Sequence, residues 1–173
     1  ADFTVELQIV ADIGLIGLPN AGKSSLLNTL SRANAKTADY AFTTLEPNLG
    51  DFFGFIIADI PGLIEGASEG KGLGHKFLRH VKRTKMLAHL VSLENEDPVA
   101  IYKTVRNELA VYDEVLAKKH EVIILTKTDT VTPERVLEVV ALMKKQNSES
   151  EIFVISILDD EGMKIFRDDL MKL

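Results

Sequence analysis

The chain has 173 residues, 26 acidic against 20 basic, a formal charge of −6, and no cysteine. That length suits one domain burying roughly two-thirds of its unfolded surface. The missing cysteines exclude disulfides, thiolate zinc sites and a cysteine nucleophile, and the acidic balance argues against non-specific nucleic-acid binding, since phosphate backbones reward basic surfaces.

Leu7, Ile9 and then Ala11 to Ile16 predict a first strand, followed by a glycine-rich turn and a helix carrying Leu26, Leu27 and Leu30. Residues 33–46 are polar and turn-like. Asn48 to Asp59 predicts a hairpin ending in the apolar Phe55-Ile56-Ile57-Ala58. A loop with Gly62, Gly66, Gly70, Gly72 and Gly74 follows, then a basic helix around Lys76 to Lys85. Leu87 to Leu93 is the next expected strand. Ile101, Val105, Leu109, Tyr112 and Leu116 mark one face of a single long helix. Val122 to Leu125 and Ile152 to Ile155 are strands, separated by a helix opening at Thr132-Pro133 with Val136, Val139, Val140 and Met143 inward. A final helix covers Asp159 to Lys172. Strands alternating with helices indicate an α/β fold with a mostly parallel sheet, whose ligands sit at the carboxyl ends of the strands. No apolar run approaches the roughly 18 residues of a membrane span. The start lacks both a methionine and a signal-like segment, so an excised cytoplasmic domain is expected.

Gly17-Leu18-Pro19-Asn20-Ala21-Gly22-Lys23-Ser24 has the spacing of a phosphate-binding loop between a buried strand and an amphipathic helix. Backbone N–H groups there can curl around a phosphate, and the helix N-terminus adds a favourable dipole. Lys23 is placed to bridge the β- and γ-phosphates, and the Ser24 hydroxyl to ligate Mg²⁺. Asp59-Ile60-Pro61-Gly62 follows the hairpin: the Asp59 carboxylate can hold Mg²⁺ through water, and the Gly62 N–H can meet a γ-phosphate. Thr43 and Thr44 lie between the two motifs, where one hydroxyl could complete the metal shell only while triphosphate is bound.

Thr126-Lys127-Thr128-Asp129 follows another strand. Asp129 can accept from both N1–H and the 2-amino group of guanine, whereas adenine would leave a buried Asp129 unpaired. The Lys127 stem can lie on the base. After the last strand, a backbone N–H of Ser156-Ile157-Leu158 can meet guanine O6. Lys76, Arg79, Lys82, Arg83 and Lys85 form the one basic cluster, read as a solvated helix face or as a contact for RNA or an acidic partner. The four histidines show no metal-ligand spacing.

With these motifs in hand, the chain resembles the GTPase domain of the Obg (Spo0B-associated) family. The matching stretches are Ala11 to Ser25, Ala38 to Gly50, Ala58 to Ala67, Gly72 to His80 and Arg106 to Leu109. The resemblance covers essentially the whole chain. It implies an OBG-type G domain over residues 1–173, with the family's N-terminal Obg domain absent from this chain. It also implies a Ras-like P-loop GTPase fold: a six-stranded, mostly parallel sheet with one antiparallel strand and helices on both faces. GTP or GDP is the implied ligand, and Ser24, Thr44 and Asp59 the Mg²⁺ ligands. Lys23, Thr44 and Gly62 take the catalytic positions, and Ser25, Phe42, Thr43, Ile60 and Pro61 further nucleotide contacts. A monomer acting in assembly of the large ribosomal subunit is the implied role.

Some residues depart from the family pattern. Thr126 replaces the usual asparagine, which predicts a lost contact to guanine N7 and to the P-loop. Ile157 replaces an alanine and crowds the base. The hairpin from Leu49 to Phe55 is shorter than expected. Leu63 stands where Ras-like enzymes orient water with glutamine, so hydrolysis should be slow. Asn20 matches a position where related GTPases bind K⁺ beside the phosphates, or it only stabilises its turn.

Overall fold

Apolar runs alternating with amphipathic helices build one mixed sheet. A computed structural model of the chain describes residues 11–31, 36–37, 48–59, 82 and 84–173. The expectations for Leu7, Ile9, the glycine loop after Asp59 and most of the basic helix fall outside them. In chain order the elements are β1 (Ile13–Ile16), α1 (Lys23–Leu30), β2 (Lys36–Thr37), β3 (Asn48–Phe52), β4 (Phe55–Asp59), β5 (Met86–Ser92), α2 (Pro98–Tyr112), α3 (Glu114–Ala117), β6 (Glu121–Thr126), a 3-10 turn (Thr128–Thr130), α4 (Pro133–Gln146), β7 (Ile152–Val154) and α5 (Asp160–Leu170).

The sheet order is β2-β3-β4-β1-β5-β6-β7. The strands from β4 to β7 pair in parallel, and β3 runs antiparallel to β4. These are the six expected strands. The two-residue β2 adds a seventh at the edge of β3, inside the stretch read from sequence as turn-like. The β3–β4 ladder runs unbroken from Asn48↔Asp59 to Phe52↔Phe55. Phe53 and Gly54 close it with φ of 49° and 87°, the two positive values of a tight primed turn. The shortened hairpin thus closes on a two-residue turn. It delivers Asp59 to the same sheet edge where β1 ends.

Alternation along the central strands divides the core between two faces. Met86, Ala88 and Leu90 of β5 and Val122 and Ile124 of β6 pack with Leu26, Leu27 and Leu30 of α1 and with Met163, Phe166 and Leu170 of α5. Val91, Ile123 and Leu125 point the other way, against Tyr102 of α2 and Val139 and Met143 of α4. Helices thus cover both faces, as expected. Leu26 and Leu27 are wholly buried, and each contributes about 1.5–3 kcal/mol to holding α1, and so the P-loop, on the sheet.

Three helices start at side-chain caps, of which the one at Thr132 is expected from the sequence. Asp97 accepts from the Ala100 N–H (2.9 Å), Thr132 from that of Arg135 (3.3 Å) and Asp159 from that of Gly162 (3.0 Å). The single long helix over Ile101 to Leu116 is instead two. The chain turns extended at Asp113 (φ −160°), whose carboxylate accepts from the Val115 N–H and pairs with Lys82. The side chain offers the backbone a competing partner there, while the apolar period carries on to Leu116.

Arg106, from one of the family-like stretches, pins α2 to the start of β6. Its guanidinium lies 3.0 Å from Glu121 Oε2 and donates to the Ala117 carbonyl at 2.6 Å. Glu121 in turn meets the wholly buried His89 at 2.8 Å. This pairing makes the burial of Glu121 tolerable.

Candidate nucleotide-binding site

The loop from Gly17 to Gly22 leaves the end of β1 and turns directly into α1. A side chain at Gly17 would bring its Cβ within 2.5 Å of the Leu90 carbonyl on β5, so only glycine lets the loop pass this close. Asn20 and Gly22 take left-handed φ values of 65° and 97°. The N-cap of α1 is Gly22, which has no side chain to cap the first turn, so N–H groups there are available to an anion. Lys23 opens the helix and donates to the carbonyls of Gly17 (2.8 Å) and Leu18 (3.0 Å). Its ammonium thus lies over the loop that would hold phosphate.

The two described metal candidates meet. Ser24 Oγ donates to Asp59 Oδ2 at 2.8 Å. Asp59 is buried, and its second oxygen, Oδ1, has no hydrogen-bond partner among the described residues. A buried carboxylate oxygen left unpaired is costly, and a hydroxyl and carboxylate side by side form the hard oxygen donor set that suits Mg²⁺. Among the described residues no group of three or more His, Asp or Glu could hold a metal alone. Phe42, Thr43, Thr44, Ile60, Pro61 and Gly62 lie outside the described residues.

A cleft of about 210 Å³ opens beside α1. It is lined by Gly22, Ser25 and Leu26, by Thr126, Lys127, Asp129 and Thr130, by Ile155, Ile157 and Leu158, and by Glu94. Here the expected loss of the P-loop contact at position 126 is overturned. Thr126 keeps a bond to the P-loop: its buried hydroxyl donates to the Ala21 carbonyl at 2.7 Å. A β-branched hydroxyl on the last residue of β6 is short enough to reach the loop directly. Lys127 has a left-handed backbone (φ 62°), and its ammonium meets Glu94 Oε2 at 2.5 Å. Thr128 N–H reaches the Ile155 carbonyl at 3.3 Å, tying this loop to the end of β7.

Asp129 is exposed rather than buried, and its Oδ1 accepts from the buried Ser156 hydroxyl at 2.5 Å. That bond aims the carboxylate without using its second oxygen. Ser156 Oγ also accepts from the Leu158 N–H at 3.2 Å. Ile157 is 41% exposed and lines the cleft.

Asn20 is exposed and lines a second, polar cleft of about 230 Å³ with Leu18, Pro19, Ser92, Glu94, Asn95 and others. Its left-handed backbone suits a turn, which asparagine tolerates better than most residues. Glu94 faces both clefts and had no motif to announce it. Its place just after a parallel strand is the one signal that could have found it.

Of the basic cluster, Lys82 and Lys85 are described, and both are paired. Lys82 meets Asp113, and Lys85 meets Asp12 at 2.9 Å. The hydrogen bond from Lys82 is the largest cause holding the Asp113 carboxyl below its ordinary range. For Asp12 burial pushes upward, but the Lys85 bond, the Ile56 N–H and the Lys85 charge together bring it below that range. Lys76, Arg79 and Arg83 lie outside the described residues. Among the described residues no helix is long and apolar enough to cross a membrane.

Residues 12–127 match the family described as "50S ribosome-binding GTPase". The "GTPase Obg" of Acaryochloris marina is 48% identical over 164 residues, covering 92% of this chain and 47% of that protein. The "GTPase Obg" of Chloroherpeton thalassium is 46% identical over 174 residues, covering 98% and 51%. The chain therefore spans about half the length of these curated relatives. A mutant of S. thermophilus NFeoB solved with GDP bound shares the fold, with a TM-score of 0.62 at 20% identity over 94% of this chain and 61% of that one.

Proposed function

The chain belongs to the family of 50S ribosome-binding GTPases, and from that premise we propose that it binds GTP with Mg²⁺, hydrolyses it slowly to GDP and phosphate, and serves as a switch in assembly of the large ribosomal subunit. The observation that carries this reading is the double tether of the P-loop. Ser24 joins it to the strand-end carboxylate Asp59, and the Ala21 carbonyl joins it to Thr126 of the base-recognition loop. Triphosphate and base contacts are thereby held in one register along a single sheet edge.

In this account the N–H groups of the loop and of the first turn of α1 cradle the phosphates. Lys23 exchanges its carbonyl partners for phosphate oxygens, a gain because charge-assisted bonds are the stronger ones. Ser24 and Asp59 would hold Mg²⁺, joined by Thr44 in the triphosphate state; the ion supplies neutralisation of β- and γ-phosphate charge. Asp129 accepts from guanine N1–H and the 2-amino group, Lys127 covers the base, and Gly62 senses the γ-phosphate. Water attacks the γ-phosphorus and the bond to the β-phosphate oxygen breaks, giving GDP and inorganic phosphate. With Leu63 in place of a water-orienting glutamine, the step is slow, and K⁺ beside Asn20 would supply part of the missing charge stabilisation. The G-domain reading covers residues 1–173; the protein acts as a monomer in the cytoplasm.

Phosphate release with GTP and with ATP, each with and without Mg²⁺, tests the proposal. Release from GTP alone, and only with Mg²⁺, is the expected result. Equal release from ATP would overturn the base assignment. Tight GTP binding with no release would favour a sensing module with little turnover, the reading that Leu63 otherwise supports.

A further inference from the structure

Glu94 sits in the turn between β5 and α2, and that turn is fixed from several sides. The Leu93 N–H reaches the Thr126 carbonyl at 3.0 Å, the Glu94 N–H reaches Ser92 Oγ at 3.3 Å, and Asn95 Nδ2 donates to the Ser92 carbonyl at 2.9 Å. Arg135 of α4 donates to the Glu96 carbonyl at 2.7 Å. The carboxylate is thus presented from a rigid base to the Lys127 ammonium, 2.5 Å away. Lys127 is held as well: its left-handed backbone begins the turn that carries Asp129 two residues on.

That arrangement resolves a conflict within the cleft. A lysine stem holds four rotatable carbons, and its head is free to seek any nearby carboxylate. The carboxylate it must avoid is Asp129, whose oxygens are needed for the base. We infer that Glu94 is a positioning residue for base recognition: by binding the Lys127 ammonium it lays the lysine stem along the cleft and keeps Asp129 open to the donors of guanine. This rests on the reading of the cleft as the guanine site. Glu94 acts through Lys127 and touches no reacting atom.

The test measures dissociation of a fluorescent GDP analogue, at low and high ionic strength, from wild-type protein and from Glu94→Gln, Glu94→Ala and Glu94→Asp. Glu94 is half exposed, so these variants keep the fold. The expected result is release faster by about two- to five-fold in Glu94→Gln and Glu94→Ala, the range of a partly exposed ion pair. Their release should depend less on salt than that of wild type, and Glu94→Asp should recover part of the effect. Pyrophosphate, which has no base, should bind all variants as it binds wild type. Adding Glu94→Ala to Lys127→Met should change nothing further. Wild-type release rates in Glu94→Ala, equal weakening of GDP and pyrophosphate, or full additivity with Lys127→Met would each overturn the inference. Competition of GDP against ADP on the wild-type protein keeps the two failures apart. If ADP competes equally, the guanine-site reading falls; if GDP wins and Glu94→Ala is silent, only the role of Glu94 falls.

Discussion

Replacing Thr126 by valine removes one hydroxyl and leaves the shape of the side chain. Valine is as comfortable as threonine at the end of a buried strand, so β6 should be undisturbed and no cavity forms. What changes is the Ala21 carbonyl, which loses the donor 2.7 Å away. Both residues are buried, Thr126 at 5% and Ala21 at 4% exposure, so water does not readily replace it. Leaving one buried acceptor unpaired costs about 1–3 kcal/mol. For a domain of this size, each kcal/mol lowers the melting temperature by roughly 2–4 °C. The same bond holds the P-loop against the loop proposed to recognise the base, so GDP affinity should fall by up to about tenfold, the equivalent of some 1.4 kcal/mol. Thermal melting followed by calorimetric titration of GDP reads both effects, and Thr126→Ser should restore most of each. A Thr126→Val protein that melts and binds GDP like wild type would refute the tether.

Asp129→Asn should weaken GTP and favour xanthine nucleotides, whose 2-oxo group needs a donor; competition titration of the two nucleotides checks this. Ser24→Ala and Thr44→Ala should both reduce Mg²⁺-dependent phosphate release, but Thr44→Ala should largely spare GDP binding, so matched GDP and GTP titrations separate them. Turnover should be faster in K⁺ than in Na⁺ at equal ionic strength, and Asn20→Ala should erase that difference while GTP still binds. Asp12 and Asp113 titrate below their ordinary value near 3.8 in the folded chain. Their contribution is present above that value and is lost as pH falls through their lower folded values. Melting temperature followed through this acid window should therefore fall less steeply in Asp113→Asn, since asparagine still caps α3.

The phosphate loop, the helix cap at Thr132, the start of the last helix at Asp159, and the parallel sheet were legible because each is written in adjacent residues. A glycine spacing, a cap followed by proline, and a run of apolar residues all act over a few positions. What the sequence concealed acts at long range or against the local pattern. The Thr126–Ala21 bond joins residues 105 positions apart, and a threonine in place of asparagine looks from sequence like a lost contact. The break at Asp113 is hidden because Leu116 continues the apolar period of α2, and the partner that stabilises the break, Lys82, comes from a distant segment. Glu94 is an ordinary turn carboxylate until the fold sets it beside Lys127. The seventh strand is two residues long, and pairing with β3, rather than any pattern of its own, makes it a strand.

The most direct test of the account is calorimetric titration of the wild-type protein with GTP and with ATP in the presence of Mg²⁺. The double tether and the free second oxygen of Asp129 predict tight GTP binding, with ATP weaker by about tenfold or more, because guanine's N1–H and 2-amino group can donate to Asp129 and adenine has neither donor there. Comparable affinities for the two nucleotides would contradict it.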